Sequence, residues 1–503
     1  MIFGLSAVVL AAAMLFGGGS RSGFFGDFVV QLLAIALLLA CLWRWMEPSP
    51  ERTQQPPSTQ KPLFIAAGLF FCMLVVQLTP LPPSVTSAWL DAHGLSLNPG
   101  GVADGTAWRT LSLTPEPTWG TLPTILAPVA LFAAVCQLGA AARFRIVAIV
   151  IVVSALGLLL GFMQIAQGPQ SGLRFFQFTN PTEAVGFFAN RNHFAAQLYI
   201  ALVFAAVWFS FVAKDFVRRG SLDSRAILWF AAAGTLLIAT IAGLALARSR
   251  AGLVLTAVAI AGIAAVFFME ERGAGARGSS RTRSVRRLTF AVLGLAVLFA
   301  AQFGLQRVMT RFDTDQLSDL RLALTPTTLQ TALESLPFGT GLGSFVRVYG
   351  VKENDEDLFT GYANRAHNDW AELLLETGVF GIAIGALFFW WLAQRIIAAW
   401  RPPHTARATH HQTLQRAASI VIGLLLAHSL VDYPLRTTAL VCVFALACAL
   451  LVDPPASSEA SEPEPKRSSR RKRPRSASSP EAAAETSSDP SPEWPDAWKG
   501  AST

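Results

Sequence analysis

The chain has 503 residues, of which 52% are hydrophobic and only 14% are charged. Soluble globular proteins carry about 25% charged residues, so this composition excludes a conventional soluble enzyme. A helix needs about 20 apolar residues to cross a bilayer. About twelve stretches of the sequence approach that length and carry almost no charge. The composition therefore predicts an all-α, polytopic membrane protein with about twelve transmembrane helices.

The predicted spans also account for the cysteines and for the N-terminal segment. All five cysteines fall inside these spans, where a thiol behaves as a small hydrophobe, so neither a disulfide framework nor a metal site is predicted. The first span lacks a basic leader, which indicates a retained helix and not a cleaved signal peptide. The spans lie approximately at 2–18, 25–43, 62–79, 121–138, 146–166, 193–213, 226–247, 251–269, 288–306, 373–394, 417–431 and 437–452.

Basic residues in short loops predict how the chain is threaded, because they stay preferentially on the cytoplasmic side. With both termini inside, 19 of the 40 Lys and Arg residues fall in short cytoplasmic loops and seven in short outside loops. Long loops translocate largely regardless of charge, so the segment 307–370 does not count against this orientation. We therefore expect cytoplasmic termini and a long periplasmic loop, 307–370, before the tenth helix.

Composition divides the chain into three parts. Residues 1–120 hold the first helices and a first periplasmic loop rich in Pro and Trp, which we interpret as a scaffold or lid at the membrane interface. Residues 121–452 hold the remaining spans and the polar motifs. Residues 453–503 are too rich in Ser, Pro, Glu and Ala to bury a core, so a disordered cytoplasmic tail is predicted. Its basic cluster either contacts anionic lipid or only keeps the tail soluble.

The first polar motif stands at the start of the sixth span and reads Asn190-Arg191-Asn192-His193. Two interpretations remain open. Asn190 or Asn192 could cap the helix, because an asparagine side chain accepts from the first free backbone N–H groups. Alternatively, the motif binds a substrate at the outer face.

A second motif, Arg248-Ser249-Arg250, joins the seventh and eighth spans. Arginines on the outer side run against the positive-inside tendency and therefore call for an anionic partner. That partner is either a phosphate, such as that of a lipid-linked substrate, or an acidic residue of a neighbouring loop.

The long loop contains a predicted helix that begins near Arg321 and extends to Glu334, with an interruption expected at Pro326. The segment that follows, 337–343, has the sequence PFGTGLG. No strand precedes these glycines and no lysine follows them, so a tight turn is predicted and not a nucleotide-binding loop.

The loop closes with His367-Asn368-Asp369 before the tenth span. A histidine at this position can exchange a proton near neutral pH, or it can be an interfacial hydrogen-bonding group. Asp369 would point to another side of a continuous helix, so the two are not paired here. His428 and Asp432, spaced i,i+4, are predicted to close the site floor or to stabilise a helix end.

All these motifs lie at the outer face by a threading derived from other residues. Charged residues are scarce in the centres of the spans, which weighs against an ion-coupled transporter with a site near the midplane. The outer face is therefore the predicted location of the functional site.

At these residues the sequence resembles the O-antigen ligase and polymerase superfamily of bacterial membrane glycosyltransferases. The resemblance covers roughly residues 120–450, and its blocks run in the family's usual order. They are FFANRNHFAAQL at 187–198, ARSRAGL at 247–253, LSDLRLALTPTTLQTALESLPFGTGLGSF at 317–345, AHNDWAELLLETGVFG at 366–381 and HSLVDYPLR at 428–436.

The resemblance implies that residues 121–452 form a catalytic region that transfers a glycan from an undecaprenyl-diphosphate carrier to an acceptor hydroxyl. It implies a metal-independent, cofactor-free, inverting reaction at the periplasmic face of the inner membrane. The acceptor would be lipid A-core oligosaccharide for a ligase, or a second lipid-linked repeat unit for a polymerase. A carrier that moves lipid-linked sugar without forming a bond is the competing class. No nucleic-acid partner is expected, because the basic tail lacks interleaved aromatic residues.

The resemblance also implies roles for individual residues. Arg250 and Arg321 match the arginines that bind the diphosphate, and His367 matches the general base that activates the acceptor hydroxyl. The residues expected to bind substrate around these three are Asn190, Arg191, Arg248, Asn368 and Asp369.

Overall fold

The computed structural model describes residues 1–21, 23–47, 61–92, 108–219, 224–273, 316–353, 363–402 and 406–455, together with a few positions between 287 and 294. Most of the predicted ninth span and the tail beyond residue 455 lie outside the described residues. So do two parts of the predicted long loop, 307–315 and 354–362.

The described part of the chain is helical and contains no β-strand, which confirms the all-α class. Because apolar runs saturate their backbone hydrogen bonds internally as helices, this is the expected solution for a chain in lipid. A short 3₁₀ helix spans Pro434–Arg436. The helices, numbered here α1 to α14, are Ile2–Phe16, Phe25–Met46, Lys61–Leu78, Pro83–Ala92, Pro115–Cys136, Ala140–Gln167, Arg191–Arg219, Ser224–Ala247, Arg250–Gly273, Gln316–Glu334, Phe345–Lys352, Asp369–Trp400, Ala406–His428 and Thr438–Leu451.

Within the described residues, eight helical segments are long and apolar enough to cross a membrane, so the protein is a multi-pass membrane protein. The count of twelve stays a prediction. Two of the predicted spans correspond to α1 and α14, which have 15 and 14 residues and are shorter than the eight. The eight segments are 25–46, 61–78, 115–136, 140–167, 191–214, 227–247, 250–270 and 369–400.

Helix α7 lies at the centre of the fold. In its apolar window 83% of the residues are buried inside the protein, against 22–50% in the other candidate spans. It packs against α6, α8, α9 and α13. The polar motif at 190–193 is therefore held at the start of the most enclosed helix.

Helix α12 is broken at Gly378, whose φ of 56° and ψ of −137° are not helical. The glycine-rich segment 337–343 fills this break, and Val379 N–H donates to the Pro337 carbonyl at 2.9 Å. A Cβ on Gly378 would stand 2.2 Å from the same carbonyl oxygen, so only glycine allows this approach. The prediction of a tight turn at 337–343 is confirmed, with Gly339 and Gly341 both at positive φ.

The first long loop packs against this turn. Leu113 N–H donates to the Thr340 carbonyl at 2.9 Å, and the Thr118 hydroxyl donates to the Leu342 carbonyl at 2.8 Å. These contacts support the scaffold interpretation of residues 108–120. The expected interruption at Pro326 is wrong, because α10 continues through it from Gln316 to Glu334; a proline removes one helix hydrogen bond, and here the remaining ones suffice.

Polar side chains gather at opposite ends of the helices. On α7, Asn192 lies near the start and Lys214 near the end, about 33 Å apart at 1.5 Å per residue. That distance is close to the thickness of a bilayer core, about 30 Å. We call the two ends the His367 layer and the Arg395 layer. Their members are connected by ion pairs and hydrogen bonds. The first holds Glu183, Arg191, Asn192, Arg248, His367, Asp369, Glu372, Glu376, Asp432 and Arg436, and the second holds Arg143, Lys214, Glu270, Arg395, Gln415, Arg416 and Asp453.

Candidate functional site

The centre of the His367 layer is a histidine held by a buried carboxylate. His367 Nδ1 lies 3.1 Å from Asp432 Oδ1. The Asp432 side chain is fully buried, whereas 15% of the His367 side chain is exposed. Asn192 Nδ2 donates to the second oxygen of Asp432, and Tyr433 N–H donates to Oδ1 at 3.0 Å. Asp432 thus fixes the imidazole through Nδ1, and Nε2 is the nitrogen that can exchange a proton with a substrate.

The sequence places His428 and Asp432 at i,i+4 spacing and predicts that they close the site floor or stabilise a helix end. Helix α13 ends at His428, and the turn that follows keeps this spacing, since Asp432 N–H donates to the His428 carbonyl at 3.0 Å. His428 Nδ1 lies 3.0 Å from the Tyr199 hydroxyl. The Asp432 side chain reaches His367, which lies 65 residues earlier in the chain, and helical spacing could not predict this long-range contact.

Two of the predicted site residues have unusual backbone conformations. Among the described residues, Arg248 and His367 are the non-glycine positions with positive φ, each at 51°. This region is costly for a residue with a Cβ, and such positions concentrate where function demands a set geometry. The Tyr433 ring packs edge-on against His367 at 4.9 Å between centroids, which further restricts the imidazole.

Glu183 connects the first two arginine motifs, and sequence reasoning missed it. Arg191 Nη1 lies 3.2 Å from Glu183 Oε1, and Arg248 Nη1 lies 4.0 Å from the same oxygen. The structure therefore confirms an acidic residue of a neighbouring loop as a partner of Arg248. Two guanidinium groups share one carboxylate, so the group keeps a net positive charge. The Arg248 side chain is 28% exposed and Glu183 only 2%.

The two asparagines of the first motif have different hydrogen-bond partners. Asn190 Oδ1 accepts from Asn192 N–H at 2.8 Å, which is the geometry of a helix N-cap. Asn180 Oδ1 accepts from Arg191 N–H at 2.9 Å. The capping interpretation is confirmed for Asn190, whereas the Asn192 side chain donates a hydrogen bond to Asp432.

Arg250 is the first residue of α9 and follows Arg248 by two positions in the chain. Ser249 Oγ accepts from Gly252 N–H at 3.0 Å and caps the helix. A Cβ on Gly252 would come within 2.7 Å of Ala195 Cβ, so α9 begins in close contact with the first turn of α7. Arg321 lies in α10, and its side chain falls outside the described residues, so its role stays a prediction.

Asn368 and Asp369 make contacts within the protein. Asn368 Oδ1 accepts from Trp370 and Ala371 N–H at 3.0 and 3.1 Å and caps α12. Asp369 Oδ2 accepts from the Ser429 hydroxyl at 2.7 Å. Their predicted binding of substrate stays a prediction, since these contacts already give both side chains a structural role.

Arg436 joins three carboxylates on one face of α12. It lies 2.9 Å from Glu376, 3.6 Å from Glu372 and 3.6 Å from Asp369. Burial by itself would lower the pKa of Arg436, but the carboxylates outweigh that effect and raise its pKa above the usual range. The spacing of these acids, i, i+3 and i+7, is the signal from which the cluster could have been predicted.

The same carboxylates hold the loops around His367. Glu372 accepts from the Arg365 guanidinium at 2.8 Å and from Ala366 N–H at 3.0 Å. Glu376 Oε1 accepts from Gly343 N–H at 2.9 Å. The loop before His367, the glycine turn and the segment after Asp432 are therefore tied to one helix.

Comparison with known proteins points to one family. A family model described as O-antigen ligase matches residues 234–386, a range that contains Arg248, Arg250, Arg321 and His367. No curated protein matches the sequence. The match supports the resemblance to the O-antigen ligase and polymerase superfamily over residues 234–386.

Proposed function

We propose that the protein is an O-antigen ligase-type glycosyltransferase. It moves a glycan from an undecaprenyl-diphosphate carrier to an acceptor hydroxyl at the periplasmic face of the inner membrane, during assembly of lipopolysaccharide or exopolysaccharide. The observation that carries the proposal is the His367–Asp432 contact of 3.1 Å in the same layer as Arg191 and Arg248. A base and a cationic group therefore lie at the same end of the helices.

His367 is the proposed general base. With its Nδ1–H donating to Asp432, the neutral imidazole presents Nε2 as an acceptor for the acceptor-hydroxyl proton. The buried carboxylate then stabilises the imidazolium that forms, which is the established use of a carboxylate behind a catalytic histidine. This arrangement also fixes the tautomer, because only Nδ1 faces Asp432.

The bond changes follow a single displacement. The acceptor oxygen forms a bond to the anomeric carbon as its proton passes to His367 Nε2. The bond between that carbon and the diphosphate oxygen breaks, and its electron pair leaves with undecaprenyl diphosphate. Attack opposite the leaving group inverts the configuration at the anomeric carbon.

The arginines are the proposed diphosphate clamp. Arg250 begins α9 next to α7, and Arg321 belongs to α10, which packs against α12. Guanidinium groups suit this task because they stay charged and offer paired N–H donors to phosphate oxygens. They stabilise the charge that develops on the leaving diphosphate. Arg191 and Arg248, already turned toward Glu183, complete the cationic wall.

The test is a transfer assay with purified protein, lipid-linked glycan and acceptor. His367→Ala should abolish formation of the new glycosidic bond at unchanged protein level. His411→Ala is the matched control, since His411 lies near the start of α13, at the Arg395 layer, and should keep activity. Equal activity of His367→Ala and wild type would refute the base assignment. Product formation by the wild type would exclude a carrier that only transports lipid-linked sugar.

Arg321→Lys tests the clamp separately. An ammonium keeps the charge but cannot reproduce bidentate contact with a phosphate, so transfer should fall. Full activity in this variant would make Arg321 a structural residue.

The acceptor is identified by what accumulates in a deletion strain. Loss of a ligase leaves lipid-linked polymer, whereas loss of a polymerase leaves lipid-linked single repeats. Our proposal expects the polymer.

A further inference from the structure

A cavity of about 210 Å³ lies beside the first motif, between the α1–α2 connection and the segment that precedes α7. We propose that this cavity is a subsite for one sugar ring of the lipid-linked glycan. The inference rests on the proposed function and adds to it a place where the donor's sugar is recognised. The residues that carry the argument are Arg21, Phe24, Phe176, Gln177, Phe178 and Ala189.

The glycine run at 17–19 allows the α1–α2 connection to lie on the segment before α7. A Cβ on Gly18 would stand 2.1 Å from the Phe187 carbonyl oxygen, so a larger residue would push the two segments apart. Ala189 N–H donates to the Gly18 carbonyl at 3.0 Å, and Ala439 N–H donates to the Gly17 carbonyl at 3.0 Å. Backbone hydrogen bonds therefore hold the α1–α2 connection, which forms one wall of the cavity, against the segment that precedes Arg191.

The walls combine aromatic rings with hydrogen-bonding groups. Phe24 and Phe176 meet edge to face at 5.3 Å between centroids. The Arg21 guanidinium lies 4.4 Å from the centre of the Phe178 ring, and Gln177 adds an amide. Phe178 is 63% exposed, so part of its ring surface is open at the rim of the cavity.

This combination matches the two-sided chemistry of a sugar. The C–H faces of a pyranose ring are apolar and pack on aromatic rings, whereas its hydroxyls need donors and acceptors such as a guanidinium or an amide. Small-molecule sites typically combine apolar walls with a few placed polar groups. The cavity is smaller than the roughly 300–1,000 Å³ of sites that enclose a whole drug-sized ligand, so a single ring of a longer glycan fits it better than an entire oligosaccharide.

The cavity is close in sequence to Arg191. This favours the sugar that is attached directly to the diphosphate over a sugar further along the glycan. Ala189 lines the cavity, and Arg191 follows two residues later. Two trans peptide units span at most about 7 Å. A diphosphate held at Arg191 would therefore place its directly attached sugar within reach of the cavity.

The experiment measures binding of two probes to the full-length protein in detergent. One probe is undecaprenyl diphosphate without sugar, and the other is the lipid-linked glycan that accumulates in a deletion strain. Wild type should bind the glycosylated probe more tightly, and Phe178→Ala should reduce that preference by about fivefold, as expected for loss of an aromatic packing contact. Affinity for the bare carrier should not change.

Phe25→Ala is the matched control. Phe25 is 79% exposed on α2 and does not line the cavity, so this variant should keep the wild-type preference. Arg21→Ala should reproduce the effect of Phe178→Ala, because it removes both a donor and the group that packs on the ring.

The outcomes separate the subsite from the proposed function. If wild type binds both probes equally, or if Phe178→Ala keeps the full preference, the subsite is overturned while binding of the carrier stands. If wild type binds neither probe, the proposed function is overturned and the subsite falls with it.

Discussion

The two ends of the helix bundle use buried arginines in different ways. In the Arg395 layer the arginines donate mainly to backbone carbonyls at the ends of helices. Arg143, fully buried, donates to the carbonyls of Leu138 at 2.9 Å and Ala449 at 3.3 Å, and also to that of Val452. Arg416 donates to the Ala399 carbonyl at 2.9 Å. These arginines satisfy the last carbonyls of helices, where positive charge is also favoured by the helix dipole.

In the His367 layer the arginines are paired with carboxylates on loops and helix starts. Arg248 keeps 28% of its side chain exposed beside Glu183, and His367 keeps 15% exposed beside Asp432. An arginine that caps carbonyls has its donors committed to the backbone, whereas an exposed arginine beside a carboxylate can also reach a bound anion. The type of partner, more than the number of arginines, therefore distinguishes a structural end from a candidate site. The predictions below test this contrast.

The largest effect is expected for Asp432→Asn. The amide keeps the volume of the side chain but removes the charge behind His367, and general base catalysis is worth about 10²–10⁴-fold. We expect transfer to fall at least about 100-fold. Stability should also fall, by about 1–3 kcal/mol, because both Asp432 oxygens accept hydrogen bonds and an amide has only one acceptor oxygen, so transfer is normalised to the folded fraction. Asp453→Asn, the equivalent change in the Arg395 layer, should leave transfer intact. A comparable loss of transfer in both variants would show that the two layers do not differ in their importance for the reaction.

Arg436→Met should mainly destabilise the protein. It leaves the buried carboxylates of Glu372 and Glu376 without their shared partner, and removal of one member of a buried ion pair typically costs about 3–5 kcal/mol. The measurement is unfolding in detergent by heat or denaturant. A variant that unfolds like wild type but has lost transfer would show that Arg436 acts on the reaction and not on the fold.

Arg143→Met should lower stability by about 2–3 kcal/mol, since it leaves buried carbonyls without a donor. Transfer per folded molecule should stay at the wild-type level because the residue lies in the Arg395 layer. The two quantities are measured on the same preparation, with activity normalised to the folded fraction. Reduced transfer per folded molecule would contradict a purely structural role for that layer.

The smallest effect is expected for Asp453→Asn. Burial alone would raise the pKa of Asp453, but hydrogen bonds and charge from Arg395, with Gln415, lower it below the ordinary value of 3.8. A lowered pKa stabilises the folded state above the unfolded pKa, and this stability is lost as pH falls through the folded value. Because 71% of the side chain is exposed, the loss should stay below about 1 kcal/mol.

Unfolding curves at pH 7 and at pH 3 test this assignment. The advantage of wild type over Asp453→Asn should shrink between pH 7 and pH 3, because the carboxylate of the unfolded chain is protonated over this range. An advantage of the same size at both pH values would mean that the carboxylate does not provide it through its charge.

The site could be predicted in part from motif positions. His367, Arg250 and the 190–193 block were found because polar residues at the ends of apolar spans are rare and therefore conspicuous. Glu183 was missed, because a single acid in a loop carries no such signal. The break of α12 at Gly378 was missed for a related reason: a glycine in an apolar helix is common, and only the approach of Pro337 shows why it is required here.

The amino-acid sequence by itself determined the helical class, the approximate spans of most of the helices and the motifs that lie at helix ends. These follow from apolar length and local charge, which act over a few turns of one helix. The tertiary structure decided which side chains meet. His367 and Asp432 are 65 residues apart, and Asn192 and Asp432 are 240 apart. Such contacts depend on how α7, α12 and α13 pack and where each helix ends, and that information is not contained in any local pattern.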